Sequence, residues 1–524
     1  MSHPRAAWTE RCRILAINLL TRSQRQQCVM VLLALAVSVE FLENIMFVFS
    51  ASHIMGGVDA DPRGFALAQS AYAIGSMLMI VKQQWLARRF GYRAYLTTAL
   101  LIFSAGTLLA ATSGGLTQLV LARLIQGIGG GALFTSCRIL IVVLFTPANR
   151  PRATRSFILG IFTASALAPA LAAELIDRGI WQDVFYGVLP FSVIAAIGAW
   201  LLLPDAGPRR STERPLLIPL LWFGIAIAAL QIAMTEARFD LFSHPVHLIL
   251  IALTGCGLLL GFFRHQWRHS TPLLQLQALN NPVYRTGLAL YFMYYLISYL
   301  SGYLFPIYAE KALDIPLTTV GWLNTAAGMV SVAGILAYLQ FAKYLKSKKP
   351  LIIAGLLLMA AAAWQFSRMP PETTINWLFP SLAAKGLFGV LVIIPIAGMT
   401  FRGLSDESFA HGYQGKNLMR QVASSFASSL GAILLLNRQY SVHASLVDAT
   451  GRQPAITLHW LHDLQAALMQ HGIDALHANQ IALNQLTAML DRQALLIASE
   501  DLYRLITLLA IAGALIVFTQ RRLA

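Results

Sequence analysis

Residues 29–51, VMVLLALAVSVEFLENIMFVFSA, run for 23 positions with Glu40 and Glu43 as the only ionisable side chains. A helix of that length covers the roughly 30 Å hydrocarbon core of a bilayer. The flanks set its direction. Arg5, Arg11, Arg13, Arg22 and Arg25 precede it, and the loop after it carries Arg63 alone. The next apolar stretch ends on Arg88, Arg89 and Arg93. The alternation continues to the C-terminus: every second loop is basic (Arg150, Arg152 and Arg155; Arg209, Arg210 and Arg214; Arg264, Arg268 and Arg285; Lys343, Lys346, Lys348 and Lys349). The intervening loops hold few cations, such as Arg178, Arg238, Lys311 and Arg368. Cytoplasmic loops are enriched in Lys and Arg, so the N-terminus and the Arg521–Arg522 end are both expected in the cytoplasm, which requires an even number of spans.

About fourteen stretches meet the length and hydropathy of a span, near 29–51, 64–86, 94–113, 117–143, 156–176, 184–204, 216–235, 245–264, 286–308, 318–342, 350–367, 376–400, 413–436 and 502–519. Composition agrees. The 524 residues have a mean hydropathy of +0.63, with 57% hydrophobic and 12% charged side chains, too few charges for a soluble chain of this length. The net charge of +16 resides largely in membrane-flanking loops, so it reads as topology anchors rather than as a nucleic-acid surface. The first span is too long for a cleavable signal and lacks a small-residue cleavage site. Cys12, Cys28, Cys137 and Cys256 lie at cytoplasmic or intramembrane positions and indicate neither disulfides nor a metal knuckle.

The chain divides into a cytoplasmic segment 1–28, a six-helix unit 29–204, a linker with an extra pair of spans 205–270, and a second six-helix unit 271–524. PDAGPRRSTERP (204–215) and 264–285 read as the cytoplasmic connections around the extra pair. Residues 437–500 form the one long loop, extracytoplasmic, with two amphipathic helices predicted to lie on the membrane or on the protein itself. Its His459, His462, His471 and His477 fit no compact metal spacing. AAWTERCRILAINLL (6–20) reads as an amphipathic helix on the inner face.

A charge near the bilayer centre costs roughly 2.5–3.5 kcal/mol, so those that persist mark function by default. Glu40 and Glu43, three residues apart, share a helical face. Burial and a second nearby carboxylate both disfavour ionisation, which suits a group that takes up a proton on one side of a membrane and releases it on the other. Arg123 in LVLARLIQGIGGGALF stays charged and needs a carboxylate, carbonyls or water. Counted from the outer helix ends it lies about 9 Å deep and Glu43 about 12 Å, so the two are placed to pair. Arg138 fits snorkelling to the inner interface slightly better than a substrate role. Lys385, about 14 Å into its span, is too deep to snorkel and fits an acid partner or an anionic substrate. Glu174 and Arg420 are expected to reach water. Tyr291, Tyr295, Tyr299 and Tyr303 recur every fourth residue and form one stripe, suited either to a cavity wall or to helix packing. Gly160, Ala164, Ala168 and Ala172 recur at the same interval with Pro169 beside them, a pattern for close packing and bending.

These motifs resemble the major facilitator superfamily, specifically the fourteen-helix drug–proton antiporter branch of EmrB-like multidrug exporters. LARLIQGIGGG (121–131) is similar to its Arg-containing motif, with Arg123, Gln126 and Gly127 in order. APALAAELIDRGIWQDVFYGVLP (168–190) is similar to its antiporter motif around Pro169. WLARRFGYRAYL (85–96), with Arg88, Arg89 and Gly91, falls where its first cytoplasmic loop motif lies, and Glu43 stands where its first span carries an acid. Ala168, Ala172 and Ala173 replace glycines of the antiporter motif, Gln84 replaces the opening Gly of the loop motif, Arg88 replaces an Asp, and Glu40 is an additional acid.

The resemblance implies an all-α polytopic fold of two pseudo-symmetric six-helix halves plus an extra pair, in a bacterial inner membrane. It implies proton-driven efflux of small amphipathic compounds by alternating access, with no cofactor beyond the proton gradient. It also implies a periplasmic membrane-fusion adaptor and an outer-membrane channel as partners. Glu40, Glu43 and Arg123 would couple protons; the tyrosine stripe, Lys385 and Arg138 would line the substrate path. The rivals are a dedicated exporter of one endogenous metabolite or siderophore, an uptake symporter, and a polytopic lipid enzyme; the last lacks a clustered acid–base set. Arg138 and Lys385 favour an acidic cargo, Glu40 and Glu43 a cationic one.

Overall fold

The computed structural model describes residues 21–204, 217–240, 245–269, 272–277, 279–341, 344, 347–402, 404–452 and 454–520. The amphipathic segment 6–20, most of the 204–215 connection, Lys343, Lys346 and Arg521–Arg522 lie outside them. Among the described residues, fourteen helices are long and apolar enough to cross a membrane.

The first half comprises α1 (Arg22–Phe49), α2 (Ala51–Gly57), α3 (Pro62–Phe90), α4 (Tyr92–Ala111), α5 (Leu116–Gly130), α6 (Leu133–Leu144), α7 (Arg150–Arg178) and α8 (Asp183–Leu202). The extra pair is α9 (Leu217–Asp240) and α10 (Pro245–Arg268). The second half comprises α11 (Pro282–Ile307), a π-helical turn Tyr308–Ala312, α12 (Leu317–Phe341), α13 (Lys349–Phe366), α14 (Ile375–Thr400), α15 (Asp406–Arg452), α16 (Pro454–Gln470) and α17 (Ala475–Thr519).

Local chemistry sets the helix ends. Thr21 and Gln24 form a reciprocal capping box on α1. Asp61 caps α3 by accepting from Gly64 N at 2.7 Å. At its other, basic end, Arg88 and Arg89 sit in the last turn, where the helix dipole favours cations, and Gly91 at φ +84° turns the chain into α4.

Two boundaries differ from the sequence reading. The predicted fourth span, 117–143, is two helices, α5 and α6, separated at Gly131–Ala132. The break falls where a run of glycines lowers helix propensity and lets neighbours approach: a Cβ on Gly129 would strike the backbone of Phe103, and one on Gly131 would strike Ser76. The predicted loop 437–500 with two surface helices is a helical projection instead. The thirteenth span continues without interruption as the 47-residue α15, and the last begins far outside as the 45-residue α17. At 1.5 Å per residue each is about 70 Å long, more than twice a hydrocarbon core. Only 454–470 forms a separate helix. The Arg438–Asp501 ion pair at 2.6 Å and a His443–Asp491 contact at 3.3 Å join α15 to α17, and Arg492 ties α17 to Asp314 at 2.9 Å. Two of the projection's histidines pair with nearby Asp side chains, His459 with Asp463 at 2.8 Å and His477 with Asp474, and no metal-holding cluster occurs among the described residues.

The halves meet along two seams. Over the C-terminal half of α7 and the N-terminal half of α12, Gly321 abuts Pro169 and Ala173, Gly328 abuts Ala166, and Ala170 N donates to Thr325 Oγ1 at 3.2 Å. Toward the basic end of α3, α15 docks on that helix: Gln414 Nε2 donates to Ile80 O at 2.8 Å and Gln421 Nε2 to Ser76 Oγ at 2.7 Å. The extra pair lies against this second seam through Ser70–Thr235 at 2.8 Å and Gln231–Ser425 at 2.9 Å.

Candidate transport cavity

Between the halves lies a cavity of about 1530 Å³, walled by α1 and α7 on one side and by α11, α12, α14 and α15 on the other. Its polar groups come from spans that hydropathy alone treats as apolar, so each charge needs a local partner.

Glu43 and Arg123, both 1% exposed, form an ion pair inside the first half. Arg123 also donates to Gln126 Oε1 at 2.5 Å, and Gln126 Nε2 donates to Thr107 Oγ1 at 2.9 Å. The guanidinium lies 3.9 Å from the Phe47 ring and 4.5 Å from that of Tyr72. Gly127 brings α5 onto α3 so closely that a Cβ there would collide with Tyr72 O. Glu43 does not reach the cavity wall among the lining residues; Glu40, one turn earlier, does.

Glu40 pairs across the molecule. Arg420 of α15 donates to its Oε1 at 2.5 Å, with side chains 1% and 7% exposed. The two carboxylates predicted to act as a pair thus answer to different arginines in different halves. Arg420, expected to reach water, is buried because α15 begins at Asp406, about two turns before the predicted span, which carries Arg420 deeper into the bundle.

The tyrosine stripe is a cavity wall. Tyr291, Tyr295, Tyr299 and Tyr303 all line it, with stacked centroids 5.9 Å apart for Tyr291–Tyr295 and 6.0 Å for Tyr295–Tyr299. Lys385 faces the same space, donating to Ser301 O at 3.3 Å. Arg138 also lines the cavity, 5.3 Å from the Phe409 ring. Pro169 lines it from α7. Arg88 and Arg89 are exposed at the end of α3, away from the cavity. Glu174 accepts from Trp322 Nε1 at 2.9 Å and pairs with Arg178.

Sequence reasoning missed Lys416. It is 3% exposed, one turn before Arg420, with its Nζ 4.1 Å from the Phe134 ring and 5.0 Å from that of Tyr413. The signal is the four-residue spacing of Lys416 and Arg420 in GKNLMRQ, which puts two cations on one helical face. A span starting at 413 places both at its interfacial end and so conceals them.

Residues 31–428 match the sequence model described as Major Facilitator Superfamily. The chain belongs to this superfamily. Its members among the matched relatives are transporters, and this chain is accordingly a transporter rather than an enzyme. It is 25% identical to the "Uncharacterized MFS-type transporter YhcA" of Bacillus subtilis, over 76% of this chain and 75% of the relative. It is 25% identical to the "Putative multidrug resistance protein MdtD" of Pectobacterium carotovorum, over 70% and 78% respectively. Among solved structures it resembles a bacterial homolog of the human lysosomal transporter Spinster, with a TM-score of 0.60 at 14% identity over 95% of this chain and 98% of that one, a likeness of fold.

Proposed function

We propose that this superfamily member exports small amphipathic compounds from the cytoplasm by alternating access, driven by protons moving inward. The observation that carries the proposal is the Glu40–Arg420 ion pair, which joins the two halves inside the cavity. While Glu40 is ionised, it holds α15 against α1. A proton on Glu40 removes the attraction and leaves Arg420 buried without its counter-charge, which favours separation of the halves. Water or substrate then reaches Arg420. Loss of the proton on the other side restores the pair. Glu43 and Arg123 hold the neighbouring turns of α1 and α5 together and supply a second protonatable site.

Export, rather than uptake, is supported by the name of the Pectobacterium relative, a putative multidrug resistance protein. On this reading both termini face the cytoplasm, the bilayer is a bacterial inner membrane, and the α15–α17 projection faces the periplasm. There it would meet the membrane-fusion adaptor and outer-membrane channel that the resemblance implies. The test uses inside-out vesicles energised to a proton gradient and followed with a pH-sensitive dye. Gradient collapse on adding particular amphipathic compounds, absent from vesicles without the protein, is the expected result. Transport of those compounds that is unaffected by an uncoupler would contradict proton drive.

A further inference from the structure

We infer that the transported compounds are organic anions: aromatic acids whose anionic group seats at Lys416 and whose ring lies along the Tyr291–Tyr295–Tyr299 wall. The inference rests on the transport reading above and names the cargo for that cavity.

The charge balance of the cavity is positive. Among the described residues it is lined by two acids, Glu40 and Glu310, and by six bases, Arg138, Lys311, Lys348, Lys385, Lys416 and Arg420, an excess of four positive charges (six minus two). Of the two lining acids, Glu40 is not free to receive a cation; Glu310, whose neighbour in sequence is Lys311, makes no ion pair among the described residues. Glu40 is held by Arg420, and Glu43 is held by Arg123 away from the wall. Among the described residues, Glu40 and Glu43 are thus internally paired, while Lys416, Lys385 and Arg138 are not.

Lys416 is the centre of the unpaired charge. Its Nζ makes one hydrogen bond, to Asn417 Oδ1 at 3.3 Å, so an ammonium with three donors keeps two. Among the described residues no carboxylate lies within ion-pair distance of Lys416, Lys385 or Arg138. A buried lysine beyond ion-pair distance of any carboxylate is costly to keep charged, and an anion entering the cavity favours its ammonium form. Arg138 sits within the same aromatic cluster: its guanidinium is 5.3 Å from Phe409, whose ring is 5.8 Å from Tyr413, beneath Lys416.

The aromatic rings select the rest of the ligand. A cage of tyrosines often attracts a cationic ligand. Here the faces are already occupied by the protein's own cation: Lys416 lies 5.4 Å from Tyr291 and 5.6 Å from Tyr295. A second cation would meet like charge. A flat apolar ring can stack further along the stripe, at Tyr299. Expelling a monoanion in exchange for an inward proton moves charge in one sense, so an inside-negative potential and a pH gradient both drive it.

The test is equilibrium binding to the purified full-length protein of three probes sharing one ring: naphthoate, the neutral naphthamide and the cationic naphthylmethylammonium. A charge-assisted contact predicts naphthoate tighter than either by at least about tenfold. Lys416→Met is expected to bring naphthoate down to the naphthamide level, and Lys416→Arg to keep the preference. Equal or tighter binding of the amide or the cation by the wild-type protein overturns the inference, and needs no variant to fold. A preference that survives Lys416→Met overturns the seat at Lys416. Because binding needs no gradient, naphthoate binding without proton-linked transport upholds the anion site and contradicts only the proton-driven reading.

Discussion

Glu40 of α1 and Arg420 of α15 are joined at 2.5 Å across the two halves, and neither carries more than 7% of its side-chain surface in solvent. Each also bears one buried atom with no hydrogen-bond partner, Glu40 Oε2 and Arg420 Nε, and the guanidinium lies 4.9 Å from the Phe41 ring and 5.2 Å from that of Phe134. The pair is the one described ion pair that bridges the halves within the cavity.

Removing one member of such a pair is expected to be worse than removing both. Arg420→Leu leaves Glu40 ionised and unpaired, at a cost of about 3–5 kcal/mol if it stays charged. Glu40→Gln with Arg420→Leu removes both charges and should recover most of that stability. Thermal unfolding in detergent of the single and double variants measures this. Additive losses would mean the two side chains act separately.

Arg123→Lys is expected to behave as a loss. A planar guanidinium serves Glu43 and Gln126 together while lying over two rings, and an ammonium does not reproduce that fork. The expected outcome is transport reduced by an order of magnitude or more, corresponding to about 1.4 kcal/mol or above. Wild-type transport by Arg123→Lys would show that charge alone suffices.

Gly127→Val should destabilise the first half by about 1–3 kcal/mol, because the added carbons meet Tyr72 O where α3 and α5 touch. The same change at Gly56, which has nothing near its Cβ position, should leave the unfolding temperature almost unaltered. Scanning fluorimetry on both variants checks the contrast.

Asp501→Asn breaks the pairs with Arg438 and with Arg504, and both arginines are half exposed. Solvent screening limits the value of each to about 0–1 kcal/mol. Transport and stability should both stay near wild type. Hydrogen exchange should be fast throughout α16, which buries no residue, and slow in α5, which buries Arg123 and Gln126.

The membrane class and the spans were legible in the sequence because hydropathy and loop charge are local quantities. Glu43 and Arg123 were legible as partners because equal depth comes from counting residues along two helices. Three features were not. The rotation of α1 that sends Glu43 into the first half and Glu40 to the cavity depends on which helices flank it. The continuity of α15 and α17 beyond the bilayer was hidden because their outer turns are polar, and hydropathy marks where a helix leaves apolar surroundings rather than where it ends. The early start of α15 likewise concealed Lys416 and Arg420, since cations at the apparent beginning of a span look interfacial and only the longer helix puts them inside the bundle.

On the proposed mechanism, Glu40 makes the movement of the halves respond to protons. The most direct measurement compares substrate exchange with gradient-driven transport in proteoliposomes containing wild type or Glu40→Gln. Gln can still accept from Arg420 yet cannot take up a proton. The variant is expected to exchange substrate without a gradient but to show no acceleration when a pH gradient is imposed. Acceleration equal to that of the wild type would contradict proton coupling through Glu40.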